Sequence, residues 1–133
     1  AGLQNLVVVG YQPAERLAEV LATGDIHVVP LRAGLASASV PSKAYSVLAA
    51  GRPVIASVDP GSEVARMVTD ARAGLVVLPD DPDAFTAAVE HLAGEAQLRN
   101  RMGADGRVWA EKCRSYRAVA ADYLDLVERI AGR

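Results

Sequence analysis

Aromatic side chains are scarce in this 133-residue chain: one Trp, one Phe and four Tyr. A core built around stacked rings is thereby excluded. It falls to Val, Leu, Ile and Ala, a palette that suits alternating strands and helices. Cysteine is nearly missing as well. Cys113 stands alone, which excludes an internal disulfide and is compatible with a reducing cytosol. Neither sign of charge dominates, since the formal net charge is −2, and such a balance gives no reason to expect nucleic acid as a partner. Long apolar runs are absent, the longest being four or five residues, whereas a membrane-spanning helix needs about 20. The opening stretch AGLQNLVVVGYQP has no basic start and does not resemble a signal peptide. It also lacks an initiator Met and runs almost at once into an apparent strand, which raises the expectation of a piece of something longer.

What is present alternates. NLVVVG (5–10), DIHVVPL (25–31), PVIAS (53–57) and GLVVLP (74–79) are short β-branched runs closed by Gly or Pro. Near-continuous apolar runs of that length predict strands buried on both faces of a parallel sheet. Helical patterns lie between them. In 13–24, Pro13 stands at the start, Leu17, Val20 and Leu21 share a face, and Gly24 is placed to cap the end. In 61–74, Val64 and Val68 are four apart and Gly74 closes the pattern. In 81–94, Asp81 is the expected N-cap before Pro82, with Phe85, Val89 and Leu92 as the buried stripe. Strand-helix alternation predicts right-handed crossovers and an α/β fold: a Rossmann-like, doubly wound parallel sheet. After Gly94 only helices are expected, the last with Tyr116, Val119, Tyr123, Val127 and Ile130 along one stripe.

In such a sheet, ligands bind beyond the carboxyl ends of the strands. The loop RAGLASASVPS (32–42) is the longest there and the richest in small residues. It has neither Walker nor GxGxxG spacing. It does lead into a helix whose first turn holds Ser42 and Lys43 after Pro41. Free N–H groups and the positive end of the helix dipole favour an anion there, and Lys43 and Arg32 add charge. The alternative is an ordinary loop with a Ser cap and solvated basic residues. The helix that follows has Ala44, Ala49 and Ala50, small enough for close approach to sheet or ligand, and Gly51 ends it.

YQPAERLAEVLATGDIHVVPL, VPSKAYSVLAAGRPVIAS and GSEVARMVTDARAGLVVLPDDPDAFTAAV, taken in order, resemble the C-terminal domain of GT-B glycosyltransferases. The resemblance is greatest to the retaining, family-4-like group that includes exopolysaccharide and colanic-acid sugar transferases. It implies a donor site for a UDP- or GDP-sugar, with no resident cofactor and no metal. Residues 36–42 would face the diphosphate and donor sugar, with Ser39, Ser42 and Lys43 among the donor-binding set. Arg32 would belong to the same set. Tyr11 would lie near the nucleotide base. Many members carry two Glu residues before the Gly-x-Pro-Val stretch, for the donor sugar and the ribose; here those slots hold Ala38 and Ser46. Ser46 offers one hydroxyl where a carboxylate offers two acceptor oxygens. No catalytic residue is assigned.

The resemblance further implies residues 1–110 as part of the donor domain without its first strands, and residues 111–133 as a helix contacting the missing N-terminal domain. With strand order 3-2-1-4-5-6, strand 5–10 would sit across a two-strand gap from strand 25–31. Bare edges of that kind aggregate, so re-pairing of 5–10, a partner chain or self-association, or preceding residues are expected to fill the gap. A bare edge at 25–31 would refute this. Arg99, Arg101, Arg107, Lys112, Arg114 and Arg117 form a basic helical stretch, either a solvated face or a peripheral contact with the inner face of a membrane near a lipid-linked acceptor. His27 and His91 have no companion ligand, so neither makes a metal site. A cytoplasmic sugar transferase, inactive as this piece alone, is the leading expectation. A nucleotide-sugar epimerase and a non-catalytic doubly wound interaction module are the alternatives.

Overall fold

The computed structural model describes residues 2–35, 41–113 and 116–132. Among them, strands β1 (His27–Pro30), β2 (Val54–Ser57) and β3 (Gly74–Val77) form a parallel sheet in that spatial order. The helices are α1 (Leu17–Thr23), entered through a 3-10 turn at Ala14–Arg16, then α2 (Ser42–Ala49), α3 (Glu63–Asp70), α4 (Pro82–Gly94), α5 (Ala96–Lys112) and α6 (Tyr116–Ala131). The α/β, doubly wound architecture expected from the alternation is present.

Strand β2 shows why. Val54 and Ala56 pack with Val47 and Leu48 of α2 and Val64, Met67 and Val68 of α3 on one face. Ile55 packs with Ala88 and Leu92 of α4 on the other. A period of two therefore splits one short run between two cores. Full burial of each such Val, Leu, Ile or Met side chain stabilises the fold by about 1.5–3 kcal/mol. Helix α5 joins the halves, with Trp109 and Ala110 against the first core and Leu98 and Met102 against the second. Its approach to α2 depends on glycine: a Cβ on Gly103 would lie 2.2 Å from the Gly51 carbonyl oxygen.

Local signals set the helix ends. The Ser62 hydroxyl accepts from the Ala65 N–H at 3.1 Å, and the Asp81 carboxylate accepts from the Ala84 N–H at 2.9 Å, ahead of Pro82. Gly51, at φ +69°, follows α2 as expected. Gly24 is the C-cap of α1 as expected, in extended rather than left-handed backbone, with φ −87°. One glycine assignment needs correction. Gly74 does not close α3; Arg72 takes the positive φ there, and Gly74 opens β3 against the Val54 backbone.

The strand predicted at 5–10 does not form. Residues 6–10 have no regular structure, and Val8 is 87% exposed. High β propensity makes a strand only where a neighbour supplies a ladder. Re-pairing of 5–10 does not occur, and β1 is an edge strand among the described residues. The expectation that a strand fills the gap beside β1 is not met among them. Other features blunt that edge. The His27 N–H donates to the Pro53 carbonyl and the Leu31 N–H to the Ser57 carbonyl, so 27, 29 and 31 face β2 while 28 and 30 face outward. Of the outward pair, Pro30 has no N–H, and the Val28 carbonyl accepts from Lys43 Nζ at 3.3 Å. A short strand, a proline and a lysine are the usual means of guarding an edge.

The basic stretch is partly committed as well. Arg99 donates to the Leu92 and Ala93 carbonyls at the end of α4, and Arg107 to the Ala49 carbonyl at the end of α2. Cations at helix carboxyl ends satisfy orphan carbonyls and complement the dipole. Arg114 lies outside the described residues. No helix among those described is long and apolar enough to cross a membrane.

Candidate functional site

At the carboxyl ends of β1 and β2 the chain turns into two loops tied to each other. The Gly34 N–H donates to the Asp59 carboxylate at 2.8 Å. Gly34, at φ +82°, makes the turn that aims this N–H. The Ser57 hydroxyl donates to the Leu78 carbonyl at 3.4 Å, joining the third loop. The amino ends of α2 and α3 open from these loops. At α3 the first turn is already satisfied: Ser62 caps it and Glu63 adds a negative charge, which Arg66 pairs at 2.6 Å. At α2 the preceding residue is Pro41, with no side-chain cap. The Ala44 N–H bonds the Pro41 carbonyl. Of the two helix starts, that of α2 is the one with no acidic residue in its first turn and no capping side chain at its N-cap residue, Pro41.

The residues expected at the site are distributed as follows. Ser42 is exposed at the first position of α2, and Arg32 is exposed just past β1. Lys43 is one residue on, exposed, with its ammonium on the edge carbonyl of Val28. Ser46 lies one turn further along α2, half-buried, its hydroxyl 3.5 Å from the Ser42 carbonyl. It lines an open hollow of about 420 Å³ between α1 and α2, together with Leu17, Leu21, Ala50 and Arg107. Tyr11 is fully outside this hollow. It lines a separate groove of about 630 Å³ with Val9, Pro13, Leu17 and Val20. Leu17 is shared by the two spaces. Ser39 and Ala38 lie outside the described residues.

Asp59 escaped the sequence reading. Its role is a tie between loops, and the only available signal was its place between a buried strand and Pro60-Gly61. Tyr45 was also missed. Its ring stands 6.2 Å from that of Trp109 at the seam of α2 and α5. Burial pushes its phenol above the ordinary tyrosine value, with Glu63 and then Cys113 adding smaller contributions in the same direction. The His27 imidazole lies 2.8 Å from the Leu21 carbonyl, to which its Nε2–H donates. Among the described residues, no group of three or more His, Cys, Asp or Glu is placed to hold a metal ion.

Residues 1–95 match the family model described as "Glycosyl transferases group 1". The chain belongs to this family. Among curated proteins, the chain is 31% identical over 128 residues to the MMP alpha-(1->4)-mannosyltransferase of Mycolicibacterium hassiacum, covering 90% of this chain and 28% of the relative. It is 33% identical over 124 residues to the GDP-mannose-dependent alpha-(1-6)-phosphatidylinositol monomannoside mannosyltransferase of Mycolicibacterium smegmatis, covering 91% and 31%. A shorter match of 72 residues, 33% identical, covers 54% of this chain and 18% of the probable glycosyltransferase WbjE of Pseudomonas aeruginosa. The chain thus spans less than a third of the length of each of these relatives. No solved structure matches it. The family match takes in the sheet, both tied loops and α2; all of α5 and α6 lie beyond it.

Proposed function

We propose that this chain holds the nucleotide-sugar donor of a sugar transferase, at the loops beyond β1 and β2. The observation that carries the reading is the start of α2, with no side-chain cap from Pro41 and with Ser42 exposed, in a chain of the group 1 glycosyl transferase family. A diphosphate brings the negative charge that such a helix start lacks. Arg32 offers a planar fork for phosphate oxygens. Lys43, whose bond to Val28 is long, is a cation in the first turn of α2. Ser46 is assigned to the ribose side and Tyr11 to the base.

In transfer, the bond between the anomeric carbon and the diphosphate oxygen breaks, and negative charge grows on the leaving diphosphate. N–H groups and cations fixed at its oxygens stabilise that charge more in the transition state than in the ground state. The chain is expected to supply this step alone. Because it spans less than a third of its relatives, transfer to an acceptor is assigned to a longer protein, with no turnover from this piece by itself. One relative is named as GDP-mannose-dependent, so GDP-mannose is the first donor to test.

Calorimetric titration with UDP, GDP, UDP-glucose and GDP-mannose tests the reading. Binding of a nucleoside diphosphate is expected, weakened about 5- to 10-fold by Arg32→Ala. Absence of binding by all four ligands would sink it.

A further inference from the structure

Two tight turns of the same kind follow the carboxyl ends of β1 and β2. In the first, the Leu35 N–H donates to the Arg32 carbonyl at 3.4 Å, with Gly34 in third place at φ +82°. In the second, the Ser62 N–H donates to the Asp59 carbonyl at 3.2 Å, with Pro60 in second place and Gly61 in third at φ +78°. A positive φ at the third place is what a type II turn demands, and proline at the second favours it. The turn's own hydrogen bond leaves the N–H of the third residue to find a partner elsewhere. For Gly34 that partner is the Asp59 carboxylate, at 2.8 Å. One side chain thus joins the first turn to the head of the second, which runs directly into the Ser62 cap of α3.

We infer that Asp59 is a positioning residue for the donor site, on the reading proposed above, acting by holding Arg32 in place. Arg32 opens the first turn and follows Leu31, whose N–H donates to the Ser57 carbonyl at 2.8 Å. Its backbone is therefore tied to the β2 side both before it, by Ser57, and after it, by Asp59. Asp59 itself stands on a firm base, next to fully buried Val58, whose N–H donates to the Val77 carbonyl at 3.1 Å. A long cationic side chain gives up freedom when it engages a phosphate, and a backbone fixed beforehand leaves less to give up. The charge of Asp59 acts in the opposite sense, because a carboxylate in the loops that would hold a diphosphate repels it. What justifies an acid there is the bond it accepts, since an ionised acceptor holds an N–H more strongly than a neutral one. The two effects differ in sign, so removing the side chain tells them apart.

The test titrates the 133-residue chain with GDP and UDP. Asp59→Ala should weaken binding about 3- to 10-fold, whereas loss of a repelling charge alone would tighten it. Asp59→Asn, which keeps an acceptor oxygen, should stay within about 2-fold of the parent. Coupling separates positioning from general loosening. Arg32→Ala should cost about 5- to 10-fold in the parent but less than about 2-fold when added to Asp59→Ala. In the free chain, Asp59→Ala should speed hydrogen exchange of the Gly34 amide about 10-fold or more, and circular dichroism checks that each variant is folded. An unchanged Gly34 exchange rate overturns the inference with no ligand involved. So does binding that Asp59→Ala leaves equal or tighter, or an Arg32→Ala effect that Asp59→Ala does not diminish. A parent that protects the Gly34 amide yet binds neither nucleotide sinks the donor reading instead, and the positioning role with it.

Discussion

Leu6-Val7-Val8-Val9 and Val54-Ile55-Ala56 draw on the same few apolar residue types, yet Val8 is 87% exposed and Ile55 fully buried. The second run has a strand on each side and helices over both faces. The first has none of these among the described residues. Apolar residues drive burial, but burial needs a surface to be buried against, and a lone strand has only one dimension to offer. The same contrast separates the stripes of α3 and α6. Val64, Met67 and Val68 of α3 close onto β2, whereas Val119, Tyr123 and Ile130 of α6 face outward.

Close backbone approach exists only in the buried region, so an added methyl should tell the two apart most sharply. In Gly74→Ala the new Cβ would lie within 3 Å of the nitrogen, carbon and oxygen of Val54, none of which can move without parting β2 from β3. A loss of about 3 kcal/mol or more is expected. Gly10→Ala, with nothing within 4 Å, should change stability by no more than about 0.5 kcal/mol. Urea denaturation of the pair measures both, and equal losses would erase the distinction drawn here.

A smaller effect comes from deleting the same side chain in each region. Leu48→Ala empties a fully buried site between α2 and α5 and should cost about 2–5 kcal/mol. Leu6→Ala removes a side chain that is 63% exposed and should cost less than about 0.5 kcal/mol. Should Leu6→Ala prove as damaging as Leu48→Ala, residues 5–10 are packed in solution after all.

How far the sequence could be read follows from the same physics. Strands β2 and β3, the Asp81 cap and the Leu92 stripe rest on signals within one turn or one strand, and they were legible. The fate of 5–10 was not, because a strand forms only where another pairs with it, and none does so among the described residues. The glycines show a similar limit. Gly51 acts through its own φ and was legible, whereas Gly74 and Gly103 act through what passes in front of them. At the candidate site, the helix start at Ser42 could be found from Pro41 and the loop before it. The tie from Gly34 to Asp59, and the Lys43 bond to Val28, join residues 25 and 15 positions apart, and no local pattern announces either.

The smallest effect concerns Tyr45, which sits between the two extremes at the seam of α2 and α5. Partial burial against Trp109 disfavours the phenolate, and the negative charges that Glu63 and Cys113 carry at high pH oppose it further. The folded-state pKa therefore lies above the unfolded value of 10.0. Below pH 10 the phenol is neutral in both states and its contribution to stability is fully present. As the pH rises through the folded pKa, the unfolded chain has already released its proton, and that contribution is lost. Stability should thus fall above pH 10 more steeply in the parent than in Tyr45→Phe, which has no proton to lose. The difference between their ultraviolet titration curves isolates the one phenol. Parallel stability curves for the two proteins above pH 10 would show that the seam around Tyr45 is as open to water as the outer face of α6.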